Sequence, residues 1–88
     1  MTGRSLLLLR HAKSSWDDPS LNDFDRPLAK RGREAAPRIA REMARRGWQP
    51  DHALVSPALR TRQTWELVAE ILPGGISHDF VRTIYEAP

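Results

Sequence analysis

The sequence predicts an α/β fold on a mainly parallel sheet, and three observations predict it. Ser5 to Leu9 is a continuous apolar run without helical period, closed at once by Arg10 and His11. Leu28 to Arg46 and Ala58 to Leu72 repeat apolar residues at spacings of three and four. "HALVS", residues 52–56, and "ISHDFV", residues 76–81, are two further short strand candidates. Strand, helix, strand, helix, strand is the order of a βαβ series with right-handed crossovers.

The first run reads as a buried central strand of a parallel sheet, because such strands are apolar on both faces. From Ala12 to Pro27 the composition turns to Ser, Asp, Asn and Pro, which predicts a surface loop leaving a strand end. In Leu28–Arg46 the inner stripe is Ala36, Ile39, Ala40, Met43 and Ala44. Gly47 ends this helix, with Arg45 and Arg46 in its last turn. An interior proline costs about 3 kcal/mol. The regular helix is therefore expected to begin or kink at Pro37, with Lys30–Ala36 as a looser segment. Pro57 suits the first turn of the second helix, whose stripe is Leu59, Thr61 or Arg62, Trp65, Val68, Ala69 and Leu72. "PGG" at 73–75 ends it, residues 76–81 form a third strand near an edge, and "RTIYEAP" adds no element.

The 88 residues make one small domain with a modest core. Cysteine is absent, which excludes disulfides and thiolate metal sites and points to a reducing cytoplasm. The leucine run is too short for a signal peptide core or a membrane span. The basic set is twelve arginines and two lysines, a bias that suits an anionic ligand and that codon composition would produce equally well. Six of those arginines lie between Arg31 and Arg46 and read as a solvated helix face rather than a nucleic-acid surface. Three scattered histidines and loop aspartates offer no converging metal ligands, so no metal site is expected.

Parallel strands deliver their carboxyl ends to one edge, where open α/β sheets bind ligands. The first strand brings Arg10 and His11 there; the second brings Ser56, Pro57 and, one turn into its helix, Arg60. Arginines facing a histidine can hold a tetrahedral oxyanion against an imidazole nitrogen. An imidazole attacks only when neutral, and neighbouring guanidinium charge favours that form. The bland readings are a structural histidine, Arg60 on a helix surface, Arg26 paired with Asp23 or Asp25, and Ser56 as a helix start. Lys13 and Ser14 add donors to the site or face solvent. Trp16, Trp48 and Trp65 are packing residues, Trp16 lying in the loop beside the site.

"LLLLRHAKSSW", "DFDRPLAKRG" and "LVSPALRTRQT", in this order, resemble the amino-terminal half of the histidine phosphatase superfamily, and more narrowly its short SixA-type phosphohistidine phosphatases. The usual Arg-His-Gly reads Arg-His-Ala here, with Ala12 in third place. The resemblance implies a three-layer α/β/α, phosphoglycerate-mutase-like fold, incomplete over residues 1–88. It implies a phosphatase acting on a phosphohistidine protein or small phosphate ester, without cofactor, nucleic acid or membrane. His11 would be the nucleophile that is transiently phosphorylated. Arg10 and Arg60 would clamp the phosphoryl oxygens, Arg26 would add a further clamp, and Glu86 matches a proton-donating glutamate of larger members. The family's second pocket histidine has no counterpart, since neither His52 nor His78 stands in a matching motif. The chain is therefore expected to be a fragment or degenerate relative of weak or no activity, able to self-associate through an uncovered sheet edge. The competing class is a binding module that holds an anion or a protein without turnover.

Overall fold

A computed structural model describes residues 5–86. Strands β1 (Leu6–Leu9), β2 (His52–Val55) and β3 (Ser77–Phe80) alternate with helices α1 (Lys30–Arg45), α2 (Leu59–Ile71) and α3 (Arg82–Glu86). The sheet is wholly parallel in the order β1-β2-β3, with Leu6 opposite His52 and His52 opposite Ser77. This is the parallel α/β arrangement expected of the three-layer class. Among the described residues no helix is long and apolar enough to cross a membrane.

Alternation along the strands sorts their side chains by face. Leu7, Leu9, Ala53 and Val55 point to the face covered by α1 and α2, where they join Ala36, Ala40, Trp65, Val68 and Leu72 in one core. Small residues at Ala36, Ala40 and Ala53 let helices and sheet approach closely, and all three are buried. The expectation that β1 is a buried central strand is corrected. It is an edge strand of the described sheet, with Leu6 60% and Leu8 51% exposed on the face opposite the helices. An unbroken leucine run reports apolarity on both faces but not which neighbours cover them.

The second correction concerns Pro37. Helix α1 runs unbroken from Lys30 through Pro37 to Arg45, so Lys30–Ala36 is regular helix. Two tertiary bonds and one local bond fix its entry: Ala29 N donates to Lys13 O at 2.8 Å, Leu28 N to Gln63 Oε1 at 2.7 Å, and, within the helix start, the Arg33 guanidinium to Leu28 O at 2.5 Å. These anchors offset the proline cost of about 3 kcal/mol. At the other end Gly47 adopts φ 70°, and Trp48 N reaches back to Met43 O at 2.8 Å to close the helix. Ile39, Ala44 and Ala69, assigned to inner stripes, are exposed, and of the pair at the second position of the α2 stripe Thr61 is buried while Arg62 is not. Trp48 is also 58% exposed, beneath the Arg46 guanidinium, rather than packed in the core. Helix α3 forms where residues 82–88 were expected to add no element; contacts of Tyr85 with Asp23 and Phe24 hold it.

Gly32 is required by a close approach. A methyl group there would stand 2.5 Å from Leu28 Cδ1, and Leu28 is only 1% exposed. Gly32→Ala gains about 1 kcal/mol of helix propensity. Overpacking of this kind costs about 1–3 kcal/mol, and a fully enclosed leucine has little room to yield. A lowered denaturant midpoint is expected; a raised one would show that Leu28 swings aside.

Candidate active site

The carboxyl edge of the sheet gathers four segments. Ser56 N donates to Leu9 O at 2.9 Å, extending the β1–β2 ladder and bringing Arg10 and His11 alongside the start of α2. Val81 N donates to Val55 O at 2.9 Å, which sets α3 at the same edge. The loop after β1 folds back on itself through Ser15 N to Pro27 O at 2.7 Å and the Ser14–Leu28 bridge. His11 is exposed and Arg10 half-buried. Ser56 is buried; its hydroxyl accepts from Ala58 N at 3.4 Å, and its carbonyl accepts from Thr61 Oγ1 at 2.6 Å, the bonding of a helix start.

Arg26 is a buried cation, 5% exposed. Its guanidinium lies 3.4 Å from the Trp16 ring centroid and donates to Asp18 O at 3.3 Å and Pro19 O at 3.4 Å. Loop carbonyls and an aromatic face hold it, where pairing with Asp23 or Asp25 was the bland alternative. Asp18 is itself held below the ordinary carboxylate range, chiefly by the Ser20 hydroxyl.

Arg60 leaves the first turn of α2 and grips the 3-10 turn Asp23–Asp25, donating to Asp23 O at 2.8 Å and to Asp23 Oδ2 at 3.1 Å. Tyr85 Oη donates to the same Oδ2 at 2.9 Å, and its ring meets Phe24 edge-on at 5.1 Å. The structure thus joins Arg60 to the loop and to α3. Glu86, one residue on, pairs at 3.7 Å with Arg82 of its own exposed helix and takes no part in that cluster. Sequence reasoning named Asp23 only as a partner for Arg26 and missed Tyr85. Asp23 and Tyr85 lie 62 residues apart, and no spacing rule links them.

The other two histidines stand elsewhere. His52 begins β2, at the amino edge; its Nδ1 lies 2.6 Å from Ser77 Oγ and its Nε2 2.9 Å from Asp79 Oδ2, tying β2 to β3. A cavity of about 590 Å³ opens beside it, lined by Ser5, Leu6, Asp51, His52 and Ser77. His78 lies on the helix-covered face of β3, between Trp65 at 5.5 Å and Phe80 at 5.2 Å. Among the described residues no three His, Asp or Glu side chains are grouped closely enough to hold a metal ion.

Arg10, His11 and the start of α2 with Arg60 thus lie at the carboxyl edge of a parallel sheet, the edge at which open α/β sheets bind ligands. Residues 6–80 match the histidine phosphatase superfamily (branch 1), and the chain belongs to that superfamily. Among solved structures, the protein assigned as the phosphohistidine phosphatase SixA in Agrobacterium tumefaciens is 38% identical, with a TM-score of 0.74 over 88% of this chain and 49% of its own. The protein histidine phosphatase SixA, solved with tungstate, is 28% identical, with a TM-score of 0.72 over 86% of this chain and 47% of its own. An uncharacterized chloroplastic protein of Arabidopsis thaliana is 54% identical over 61 residues, 69% of this chain and 28% of the relative. The mitochondrial serine/threonine-protein phosphatase PGAM5 of Xenopus tropicalis is 31% identical over 70 residues, 80% of this chain and 24% of the relative. The chain therefore spans about half the length of these solved structures and under a third of these curated relatives. The cytoplasmic expectation is overturned by the organellar relatives, one chloroplastic and one mitochondrial. Absence of cysteine excludes disulfides and does not select a compartment.

Proposed function

We propose that this domain removes phosphoryl groups from phosphorylated proteins through a phosphohistidine formed on His11. The observation that carries the reading is the set of arginines, Arg10, Arg26 and Arg60, on the segments that surround the carboxyl end of β1, from which His11 projects exposed. In the proposed step a neutral imidazole nitrogen of His11 attacks phosphorus, and the bond from phosphorus to the leaving atom breaks with its electron pair. The leaving group takes a proton from solvent or from Glu86. Water then attacks the phosphohistidine, releasing inorganic phosphate and restoring the imidazole. The arginines hold the phosphoryl oxygens and offset charge gathering on them.

Similarity supports the substrate class. Two of the relatives are a protein histidine phosphatase and a serine/threonine-protein phosphatase, so a phosphoprotein fits better than a small ester. Tungstate, a tetrahedral oxyanion, is bound by one of them, in keeping with an anion site. Anion binding without turnover is the second reading. It is favoured by the engagement of His52 and His78 away from the carboxyl edge, which leaves His11 alone to face the phosphoryl group among the described residues. Leu6 and Leu8, exposed on edge strand β1, supply the surface through which a second copy would pair.

Mixing the chain with an aryl phosphate and with a phosphoramidate tests the proposal. A burst of leaving group matched by acid-labile phosphate on the protein is expected, followed by weak or no turnover. Tungstate binding without either would sustain the second reading instead.

A further inference from the structure

The Asp23 contacts described above join residues far apart in the chain, and they do so at an arginine assigned to the phosphoryl group. We propose that Asp23 is a positioning residue for the phosphoryl site: it sets the direction of the Arg60 fork and ties that direction to α3 through Tyr85. The inference rests on the reading that Arg60 binds the phosphoryl group.

Two-point attachment is what gives the idea content. A guanidinium is a rigid plane with five N–H donors, so fixing one nitrogen on Asp23 O and another on Asp23 Oδ2 fixes where the remaining N–H groups point. Asp23 is itself held. Asn22 caps its turn by accepting from Asp25 N at 3.1 Å and donating to Asp25 Oδ2 at 2.9 Å. Tyr85 grips its carboxylate, with Phe24 against the Tyr85 ring and the Arg82 guanidinium 5.4 Å from the Phe24 centroid. Loop, α2 and α3 thereby share one carboxyl group.

A carboxylate beside an anion site could equally oppose the anion, and exposure decides between the effects. Asp23 is 59% exposed at its side chain, so water screens its charge, whereas the Arg60 side chain is only 15% exposed and keeps its geometry. The cluster stays intact at neutral pH. Hydrogen bonds first from Tyr85 and then from Arg60 hold the Asp23 carboxyl below the ordinary carboxylate range, with Arg26 adding a weaker pull. The same bond to Asp23 pushes the Tyr85 hydroxyl up, with Arg60 and Arg82 opposing weakly, so the phenol remains a donor.

Tungstate binding by calorimetry, on the full chain, provides the test. Behind metal ligands, loss of a supporting partner typically costs about 10- to 100-fold in affinity, and a solvent-facing support behind an arginine belongs at the lower end of that scale. Asp23→Ala should weaken binding about tenfold, and Asp23→Asn, which keeps an acceptor for both partners, should recover most of that loss. Tyr85 is the single tyrosine, so phenolate absorbance reads it alone, and in Asp23→Ala its titration should fall back toward the ordinary tyrosine value. Tighter binding in both Asp23 variants would overturn the proposal and make the carboxylate a competitor. Unchanged binding in Asp23→Ala, beside a large loss in Arg60→Ala, would overturn it while leaving the phosphoryl reading intact. No binding by the unaltered chain, or none lost in Arg60→Ala, would end both. If Asp23→Ala loses helical signal, Tyr85→Phe carries the test: weaker binding supports the proposal and unchanged binding overturns it.

Discussion

His11→Ala is expected to abolish acid-labile phosphate on the protein, with the burst of leaving group lost for every substrate. Attack by the imidazole nitrogen is indispensable to a phosphohistidine route, and methyl offers no lone pair. Glu86→Gln should behave differently. Its carboxylate is exposed and paired with Arg82 in the free protein, and a proton donor matters only when the leaving atom is too basic to depart unaided. General acids contribute roughly 10²- to 10⁴-fold where they are needed, so the Glu86→Gln effect should grow with the basicity of the leaving group. It should be small for a phosphoramidate or a good aryl leaving group. Quantifying protein-bound phosphate after acid quench, together with rates across a series of aryl phosphates, checks both variants. Equal losses for the two across good and poor leaving groups would contradict this division of labour, and labelled phosphate persisting in His11→Ala would exclude His11 as the nucleophile.

The contrast between His11 and Asp23 marks what one-dimensional reading can reach. Strand ends were legible, because an apolar run that stops abruptly at Arg10 or Ser56 marks where a parallel strand delivers its chain. Helix α2 was legible from its period: Trp65 and Val68 fall on one face and are buried, as is Leu72 just past its end. Pro37 misled, since its local cost is real, yet the bonds from Ala29 and Leu28 that offset it come from the packed structure. The role of β1 misled because coverage of a strand depends on its neighbours, not on its own residues. Arg26 and Arg60 were identifiable as candidates from their motifs, but their partners were not. Trp16 and two carbonyls hold one, Asp23 and Tyr85 the other, and these contacts exist only after loop and α3 fold back to the sheet edge.

The site therefore depends on the core that aligns its strands, and two tryptophans measure that dependence. Trp65→Ala is expected to destabilise the domain by about 3–5 kcal/mol, the usual range for removing a fully buried aromatic side chain. Trp65 is 3% exposed, shares one core with Ala40, Val55 and Val68, and also meets the His78 ring, so its loss opens a void between α2 and the sheet. Small neighbours such as Ala36, Ala40 and Ala53 cannot grow into that space. In a domain this size each kcal/mol shifts the melting temperature by roughly 4–8 °C, so the variant should be largely unfolded at temperatures the parent tolerates. Trp48→Ala is the matched control. Trp48 is 58% exposed beside Arg46, and its removal should stay within about 0.5 kcal/mol, the usual range for surface substitutions. Thermal unfolding by circular dichroism separates the two. Tungstate affinity should fall with Trp65→Ala in step with the folded fraction and remain unchanged in Trp48→Ala. Equal melting temperatures for the two variants would show that the α2–sheet interface does not hold the carboxyl edge together, and that the arginines keep their places by loop contacts alone.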